Sequence, residues 1–282
     1  MRMNLKFTSR QREISKLKHT TIVLVLSMLL FQSCKKDPAD FGVTTSFQTT
    51  SVNTETAYKI DVFYPDASFP TTPVPIVVML DGFWYHDMGA ELLAELSEEG
   101  TIPKCLMVSI DYVSGSGVYD RADDLIYPVP YEEETRVGPA FYRFLTEELV
   151  PNIEANYMID TTQRVLIGHS LGGFFALYSL FDNPTEPFFQ KRIAASGSIG
   201  LGDNELFVFE EAISTQVSDI DQDLFIGCGT LVGSATIMHQ ELFNRIDSRN
   251  YPNMNIAFET YPKTHGTDPY PSFKNGLRHV FN

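Results

Sequence analysis

The sequence predicts an α/β protein in which a mostly parallel central sheet has helices on both faces, and three observations support this fold class. Segments of strand and helix character alternate along almost the whole chain after residue 46. Some of the strand segments are continuous apolar runs, as expected for parallel strands that are buried on both faces. The composition, 282 residues of which 43% are hydrophobic and 20% charged, is that of a globular protein large enough for such a domain.

The first half of the domain begins with two β-rich runs, residues 46–50 and 57–64, which we interpret as an antiparallel pair. Residues 75–80 (PIVVML) form a continuous apolar run that ends at Asp81-Gly82, and they predict a central strand. Apolar residues at helical spacing between Met88 and Leu96, followed by Gly100, predict a helix. Residues 106–110 then predict the next strand.

The second half continues the alternation. A helix is predicted over residues 141–153, with Gly138-Pro139 at its start, and another over residues 171–180 after a short strand at 165–167. Strands follow at 193–195, 224–226 and 254–258, and helices at 238–246 and in the last dozen residues. Because no linker or repeat interrupts this pattern, we expect a single domain over residues 46–282.

The first 33 residues have the layout of a signal peptide. Six basic residues and one acidic residue precede an apolar run over residues 20–31 that is too short to span a bilayer, and Ser33-Cys34 follows it. This junction resembles a bacterial lipobox, which predicts lipidation of Cys34, a tether over residues 34–45 and a membrane anchor in the bacterial cell envelope, on the periplasmic or the surface face. Plain secretion with an incidental cysteine is the alternative.

The net charge and the cysteine content indicate whether nucleic acid, disulfides or metals are to be expected. Removal of the six basic residues and one acid lowers the formal net charge from −15 to −20, so we expect no nucleic-acid binding. Cys105 and Cys228 each lie in an apolar run and are predicted to be buried thiols, although an oxidising compartment would also permit a disulfide. The spacing of cysteine and histidine matches no zinc site, and we predict neither a metal nor a cofactor.

The segment Gly168-His169-Ser170-Leu171-Gly172 carries the main chemical signal. It joins a predicted strand to a predicted helix, which is the context in which a Gly-x-Ser-x-Gly turn presents a serine hydroxyl as a nucleophile. The helix N-terminus would direct free amides toward a developing oxyanion. A glycine-rich turn with a capping serine is the structural alternative.

Other segments extend this pattern into a family resemblance over about residue 46 to the C-terminus. The chain resembles the esterase branch of the α/β-hydrolases, which includes enterochelin-type siderophore esterases, feruloyl and other carbohydrate esterases, and mycolyltransferases. The segments that resemble it are LDGF at 80–83, RADDLIYP at 121–128, FLTEELVPNI at 144–153 with Tyr157, residues 164–173, His265-Gly266, and GLRHVF at 276–281. The resemblance implies an α/β-hydrolase fold.

The resemblance also implies the roles of individual residues. Ser170 would be the nucleophile, His265 the general base, and the backbone amides of Phe83 and Leu171 the oxyanion hole. The position of His265 in a loop after a predicted strand supports its role independently. The other histidines are interpreted differently: His279 as structural, His86 and His239 as packing or surface residues that could border the cleft, and His169 as the variable position of the turn.

The acid of the expected triad is missing from its usual place. The family carries it just after the penultimate strand in a Gly-Ser-Leu-Glu-like segment, where this chain has Gly-Thr-Leu-Val with Val232 at the acidic position. Loss of that acid alone costs about 10⁴-fold in kcat and leaves measurable catalysis. A relocated acid, a Ser-His dyad and an inactive descendant therefore all stay open. The candidates for a relocated acid are Asp203, Glu241 and Asp247.

Two further patterns have competing interpretations. Gly227, Gly229 and Gly233 follow a strand and precede a helix, which on paper fits a dinucleotide site, although the spacing is nonstandard. A set of aromatic residues could hold a flat acyl group or a sugar face at the edge of the sheet, or could simply pack the loops. Its members are Phe83, Trp84, Tyr85, Tyr112, Tyr119, Tyr127 and Tyr131.

Together these patterns predict a lipid-anchored serine esterase that acts on a small-molecule or glycan ester through an acyl-enzyme on Ser170. An acyltransferase with the same acyl-enzyme is one alternative. A noncatalytic binding lipoprotein on a hydrolase scaffold, made credible by Val232, is the other.

Overall fold

The described part of the chain contains one eight-stranded sheet. The computed structural model describes residues 37–113, 117–126, 138–181 and 184–282, and residues 38–282 form one compact unit. In chain order the strands are β1 (Val43–Thr50), β2 (Ala57–Tyr64), β3 (Val74–Met79), β4 (Leu106–Tyr112), β5 (Ile159–His169), β6 (Lys191–Ala195), β7 (Asp223–Gly229) and β8 (Asn255–Tyr261).

Helices connect most of the strands. They are α1 (Gly82–Glu98), α2 (Gly117–Leu125), α3 (Gly138–Arg143), α4 (Val150–Asn156), α5 (Leu171–Tyr178), α6 (Glu205–Ser214), α7 (Ser234–Ser248) and α8 (Pro269–Val280), with a π-helical turn (Phe144–Leu149) between α3 and α4. Short 3₁₀ turns at Pro38–Asp40, Ser179–Phe181 and Leu201–Asp203 complete the set. No helix in these described ranges is long and apolar enough to cross a membrane.

The strand order in the sheet is β1-β2-β4-β3-β5-β6-β7-β8. β2 pairs antiparallel with both β1 and β4, and every later pairing, from β4–β3 to β7–β8, is parallel. The predicted fold class is therefore confirmed. Because the parallel strands point the same way, the residues that follow β3, β5, β6, β7 and β8 all come to one edge of the sheet.

The sheet separates two apolar layers, because successive side chains of a strand point to opposite faces. On β3, Val77 and Met79 belong to the layer that contains α1 and α8, whereas Ile76 and Val78 belong to the layer that contains α5 and α7. Both layers are formed by fully buried side chains. This alternation explains why the strand has no polar position in its sequence.

Some elements differ from the sequence expectations. β5 covers eleven residues rather than three, because residues 160–164 are polar and at least partly exposed and so give no apolar run. α2 and α6 were not expected; α2 falls in a polar stretch. β1 begins at Val43 instead of residue 46. The predicted signal peptide and Cys34 lie outside the described residues, so the domain boundaries at 33 and 45 stay predictions.

Candidate active site

The turn at Ser170 has the strained geometry that presents a side chain away from its own backbone. Ser170 lies between β5 and α5 with φ 58° and ψ −116°, a conformation that a non-glycine residue rarely adopts. Its amide donates to the carbonyl of Ala195 at 3.0 Å, and its carbonyl accepts from the amides of Phe174 and Ser198 at 2.9 and 3.0 Å. These bonds to α5 and to the segment after β6 hold the turn in place.

Both glycines of this turn lie in tight contacts, and Gly168 is required by close backbone approach. A Cβ on Gly168 would lie 2.4 Å from the carbonyl carbon of Gly172, and a Cβ on Gly172 would lie 3.0 Å from Asp81 Oδ2. The first distance is far below any real contact, and the atoms that it meets are backbone atoms that cannot rotate away. The pattern of the turn is therefore explained by packing as well as by chemistry.

We predict that Gly168→Ala lowers the free energy of unfolding by about 3 kcal/mol, because the new methyl group overlaps the first turn of α5. Chemical denaturation followed by circular dichroism measures the change. Gly266→Ala is the matched control, since nothing lies within 4 Å of a Cβ at that position. Equal stability of the two variants would contradict this account of the turn.

The structure brings Ser170 and His265 together. His265 follows β8, and its Nε2 lies 3.0 Å from Ser170 Oγ, a distance at which the hydroxyl donates a hydrogen bond to the ring nitrogen. Ser198 Oγ lies 3.4 Å from the same oxygen. The pKa of His265 falls below its ordinary value, first because the ring is partly buried, then because of His169 and Arg121, while Asp268 acts in the opposite direction. A lowered pKa keeps the imidazole neutral and able to accept a proton near pH 7.

His169, the variable residue of the turn, contacts the loop of the predicted base. Its Nε2 lies 2.8 Å from the carbonyl oxygen of His265, and its Nδ1 lies 2.7 Å from the hydroxyl of Tyr85. Because a carbonyl only accepts, Nε2 carries the hydrogen and Nδ1 accepts from Tyr85. Burial raises the pKa of Tyr85 to about 12, so that its hydroxyl stays protonated and donates. Sequence reasoning gave His169 no role.

Phe83 and Leu171 lie in the first turns of α1 and α5, where backbone N–H groups have no partner within their own helix. The turn before α1 is fixed by Asp81, which has a left-handed φ of 60° and forms a two-pronged ion pair with Arg121 of α2. Arg121 also donates to the carbonyl of His169 at 3.5 Å. One guanidinium therefore links the two turns that contain the predicted oxyanion amides.

Two of the three acid candidates from the sequence have no described contact with His265. Glu241 and Asp247 are exposed side chains on α7, and neither forms a described contact with the base. Of Asp203 only the backbone is described, in the turn Leu201–Asp203. Val232, at the family's acidic position, lines a cavity beside His265. No described contact therefore supports Glu241 or Asp247 as the relocated acid.

A different carboxylate, Asp268, is buried in the site. It lies three residues after His265, is completely inaccessible, and accepts through Oδ2 from the Ser196 hydroxyl and from the Gly229 amide, the latter at 3.1 Å. Oδ1 accepts no hydrogen bond from the part of the chain that the structure describes, and it lies 3.7 Å from His169 Nε2. Only its proximity to His265 in the sequence could have drawn attention to it.

A cavity of about 340 Å³ opens beside His265 at the edge of the sheet. Its lining combines the segment after β6 with the start of α7, and it includes apolar side chains as well as serines. His239, expected to pack or to border the cleft, is buried and lines this cavity. The lining residues are Ser196, Gly197, Ser198, Ile199, Gly200, Leu201, Val232, Ser234, Ala235, Met238, His239 and His265.

The aromatic set divides into different roles. Phe83 and Trp84 are 76% and 55% exposed in the first turn of α1, next to the predicted oxyanion amide, and are free to contact a ligand. Tyr85 donates to His169, and Tyr112 donates to the buried carboxylate of Asp124 at 3.1 Å, so both serve packing. The side chain of Tyr119, together with Tyr127 and Tyr131, lies outside the described part of the chain.

Two of the three glycines that suggested a dinucleotide site are explained by packing. A Cβ on Gly227 would meet Ser272 of α8 at 2.4 Å, and one on Gly229 would meet the carbonyl oxygen of Lys263 at the same distance. These glycines thus allow α8 and the loop of His265 to approach the end of β7. Cys105 and Cys228 are free and buried, as the apolar runs predicted.

Comparison with known proteins gives a consistent group of relatives. The family model described as "Putative esterase" matches residues 51–201. Ferri-bacillibactin esterase of Bacillus subtilis is 29% identical over 164 residues, which cover 53% of this chain and 56% of that protein. Apo-salmochelin esterase of Escherichia coli is 31% identical over 170 residues, which cover 56% and 51%. The chain thus spans about half the length of these curated relatives.

Among solved structures, the BES protein from Bacillus cereus superposes with a TM-score of 0.76 at 25% identity. The match covers 85% of this chain and 95% of that one. The overall fold of this chain is therefore one that experiment has observed in a similar protein.

Proposed function

Because this chain belongs to the Esterase family, we propose that it hydrolyses carboxylic ester bonds through an acyl-enzyme on Ser170. The observation that carries the proposal is the 3.0 Å contact between Ser170 Oγ and His265 Nε2 at a strained strand-to-helix turn. A serine that served only to pack the turn would need neither a left-handed φ nor a hydroxyl directed at a partly exposed imidazole.

The proposed reaction has two halves. His265 Nε2 takes the proton of Ser170 as the oxygen attacks the ester carbonyl, and the amides of Phe83 and Leu171 stabilise the resulting oxyanion. The intermediate collapses to the acyl-enzyme, and the leaving alcohol takes the proton from His265. Water then repeats the sequence with the same base, releasing the carboxylic acid and restoring the serine.

The substrate that we propose is a small-molecule ester. The names of the two curated relatives refer to siderophores, bacillibactin and salmochelin, and the cavity beside His265 has a suitable volume of about 340 Å³ for part of such a molecule. The exposed rings of Phe83 and Trp84 offer apolar surface for a flat or sugar-like group at the mouth of the site. Glycan esters belong to the same chemical class.

A fluorophosphonate probe tests the proposal, because it forms a covalent adduct only with an activated serine. We expect labelling of the folded wild-type protein, followed by turnover of one or more members of a p-nitrophenyl ester panel. Added alcohols distinguish hydrolysis from acyl transfer, since a transferase would yield the new ester. Folded protein that neither labels nor turns over any ester would favour the noncatalytic binding protein.

We also propose that the protein is anchored to a membrane of a bacterial cell envelope through a lipid on Cys34. The basic segment, the apolar run over residues 20–31 and the Ser33-Cys34 junction support this proposal. A chain anchored in this way would present its site to small molecules in the periplasm or at the cell surface.

Cys34→Ser is therefore expected to move the protein from the membrane fraction to the soluble fraction and to abolish incorporation of an alkynyl fatty acid. Detergent phase separation and click labelling of cells that express the full chain measure the two effects. Cys105→Ser is the control, because that thiol is buried in the domain. Unchanged membrane association of the Cys34 variant would contradict the anchor.

A further inference from the structure

We propose that Asp268 is the acidic positioning residue of this site, which fixes the His265 loop to the sheet and supplies the negative charge against which His265 becomes protonated. The inference rests on the proposed function and deepens it, because it replaces the missing acid at Val232 with a carboxylate on a different segment. Asp268 is thus a different residue from the three acids suggested by the sequence.

The first argument is that Asp268 does not do what an aspartate at its position normally does. It precedes α8 as the N-cap, where the side chain would accept from the first free amides of the helix, yet it forms no such bond. Instead the carboxylate reaches across to the ends of two strands, to the Ser196 hydroxyl after β6 and to the Gly229 amide at the end of β7. Capping therefore does not account for this residue.

The second argument is that Asp268 holds the loop of the base at both ends. The amides of Thr267 and Asp268 donate to the carbonyl of Thr264 at 3.0 and 3.1 Å, which closes a turn around His265. The side chain of Asp268 then ties this turn to β6 and β7. From the other side, His169 Nε2 donates to the carbonyl of His265 at 2.8 Å. The imidazole is thus held next to Ser170 by its own loop.

The third argument is that one oxygen of Asp268 is buried without a described hydrogen-bond partner. Asp268 is 0% exposed, and no residue that the structure describes donates a hydrogen bond to Oδ1, an arrangement that is costly unless the charge is used. Oδ1 lies 3.7 Å from His169 Nε2, and the centroids of the His169 and His265 rings are 4.4 Å apart. A positive charge that forms on His265 would therefore interact with this carboxylate across the His169 ring.

Ser196, which donates to Asp268, supports the same conclusion. This buried serine has a left-handed φ of 40°, and its amide donates to the carbonyl of Gly227 at 2.7 Å. A strained non-glycine residue persists only where the surroundings fix it. Its conformation directs the hydroxyl at the carboxylate, and among the described residues it is the one side chain that donates a hydrogen bond to Asp268.

The charges around His265 determine how the inference is tested. Asp268 raises the pKa of His265, whereas burial, His169 and Arg121 lower it. Loss of the carboxylate should therefore lower the pKa of His265 further and move the acidic limb of kcat/KM to lower pH. The titratable and charged groups that face His265 come from α1, α2, the turn before α5, α7 and its own loop: Tyr85, Arg121, His169, His239 and Asp268.

The experiment compares wild type with Asp268→Asn, Val232→Glu and the double variant. Val232 is chosen because it lines the cavity next to His265 and occupies the family's acidic position. We expect Asp268→Asn to lower kcat/KM by about 100-fold, less than the loss of a directly bonded triad acid. The ratio of kcat/KM with and without Val232→Glu should be at least about tenfold higher in the Asp268→Asn background than in wild type, and Val232→Glu should return the acidic limb of Asp268→Asn toward its original pH.

NMR titration of the His265 ring, assigned with a His265→Gln sample, gives a readout that does not depend on turnover. Glu210→Gln is the control: Glu210 is a buried carboxylate paired with Arg245 and Arg249, and its loss should leave the His265 pKa unchanged.

A His265 pKa that does not fall in Asp268→Asn would overturn the inference. If that variant does not fold, a rise of threefold or more in kcat/KM on Val232→Glu in wild type would overturn the inference, and a smaller rise or a loss supports it. A wild type with no esterase activity would refute the proposed function, while the NMR shift would still decide the role of Asp268.

Discussion

Ser170→Ala is expected to lower kcat/KM for any ester substrate by at least about 10⁴-fold and to abolish fluorophosphonate labelling. The hydroxyl is the only part of the side chain that is lost, and the strained turn around it is fixed by main-chain bonds to Ala195, Phe174 and Ser198. The fold should therefore survive. Steady-state hydrolysis of a p-nitrophenyl ester, with circular dichroism as a check of folding, measures the effect.

Ser198→Ala is the matched control for this variant. Its hydroxyl lies 3.4 Å from Ser170 Oγ and borders the same cavity, so that its removal perturbs the site without removing the nucleophile. We expect a loss of about fivefold, the value of one ordinary hydrogen bond. Comparable losses in the two serine variants would mean that the reaction does not proceed through Ser170.

His265→Gln is expected to cause a loss of similar size, about 10⁴-fold, and the Ser170→Ala/His265→Gln double variant should be no worse than either single variant. The pair acts as one unit, because the serine is a poor nucleophile until the imidazole takes its proton. His279→Gln is the control, since His279 faces Asn255 at the start of β8, at the opposite edge of the sheet. Additive losses would contradict a shared proton transfer.

The pH profile of the wild type follows from the same histidine. Catalysis needs neutral His265, so kcat/KM should be constant around pH 7 and fall as the ring becomes protonated. Because burial lowers the pKa of His265 below its ordinary value of 6.5, this limb should lie below pH 6.5. The limb should disappear from the residual activity of His265→Gln. A limb above pH 6.5 would show that another group controls the reaction.

The sequence predicted most of the sheet because its strands are buried on both faces and appear as apolar runs. The turn at Ser170 was predictable for a related reason, since two glycines with a strand before them and a helix after them form a local pattern. The proximity of Ser170 and His265, 95 positions apart, followed from chain order and the common edge of a parallel sheet. The comparisons confirm the family and the fold, and the roles of both residues stay predictions.

Asp268 could not be predicted in the same way, because its importance depends on three segments that are distant in sequence. The carboxylate meets Ser196 after β6 and Gly229 in β7, and these contacts exist only once α8 packs against both strands. In the sequence it is simply an aspartate before a proline, which is typical of a helix start. His169 was missed for a similar reason. Its side chain contacts the main-chain carbonyl of His265, and a carbonyl that every residue type carries leaves no signature in the sequence.

The most direct test of the account is the mass of the peptide that contains Ser170 after acid quenching of the reaction with a p-nitrophenyl ester. Trypsin should release residues 165–191 as one peptide, between Arg164 and Lys191. The account predicts that this peptide gains the mass of the acyl group, that fragmentation places the group on Ser170, and that one equivalent of nitrophenol is released in the initial burst. Turnover by folded protein with no acyl group on this peptide, or with the group on another residue, would contradict it.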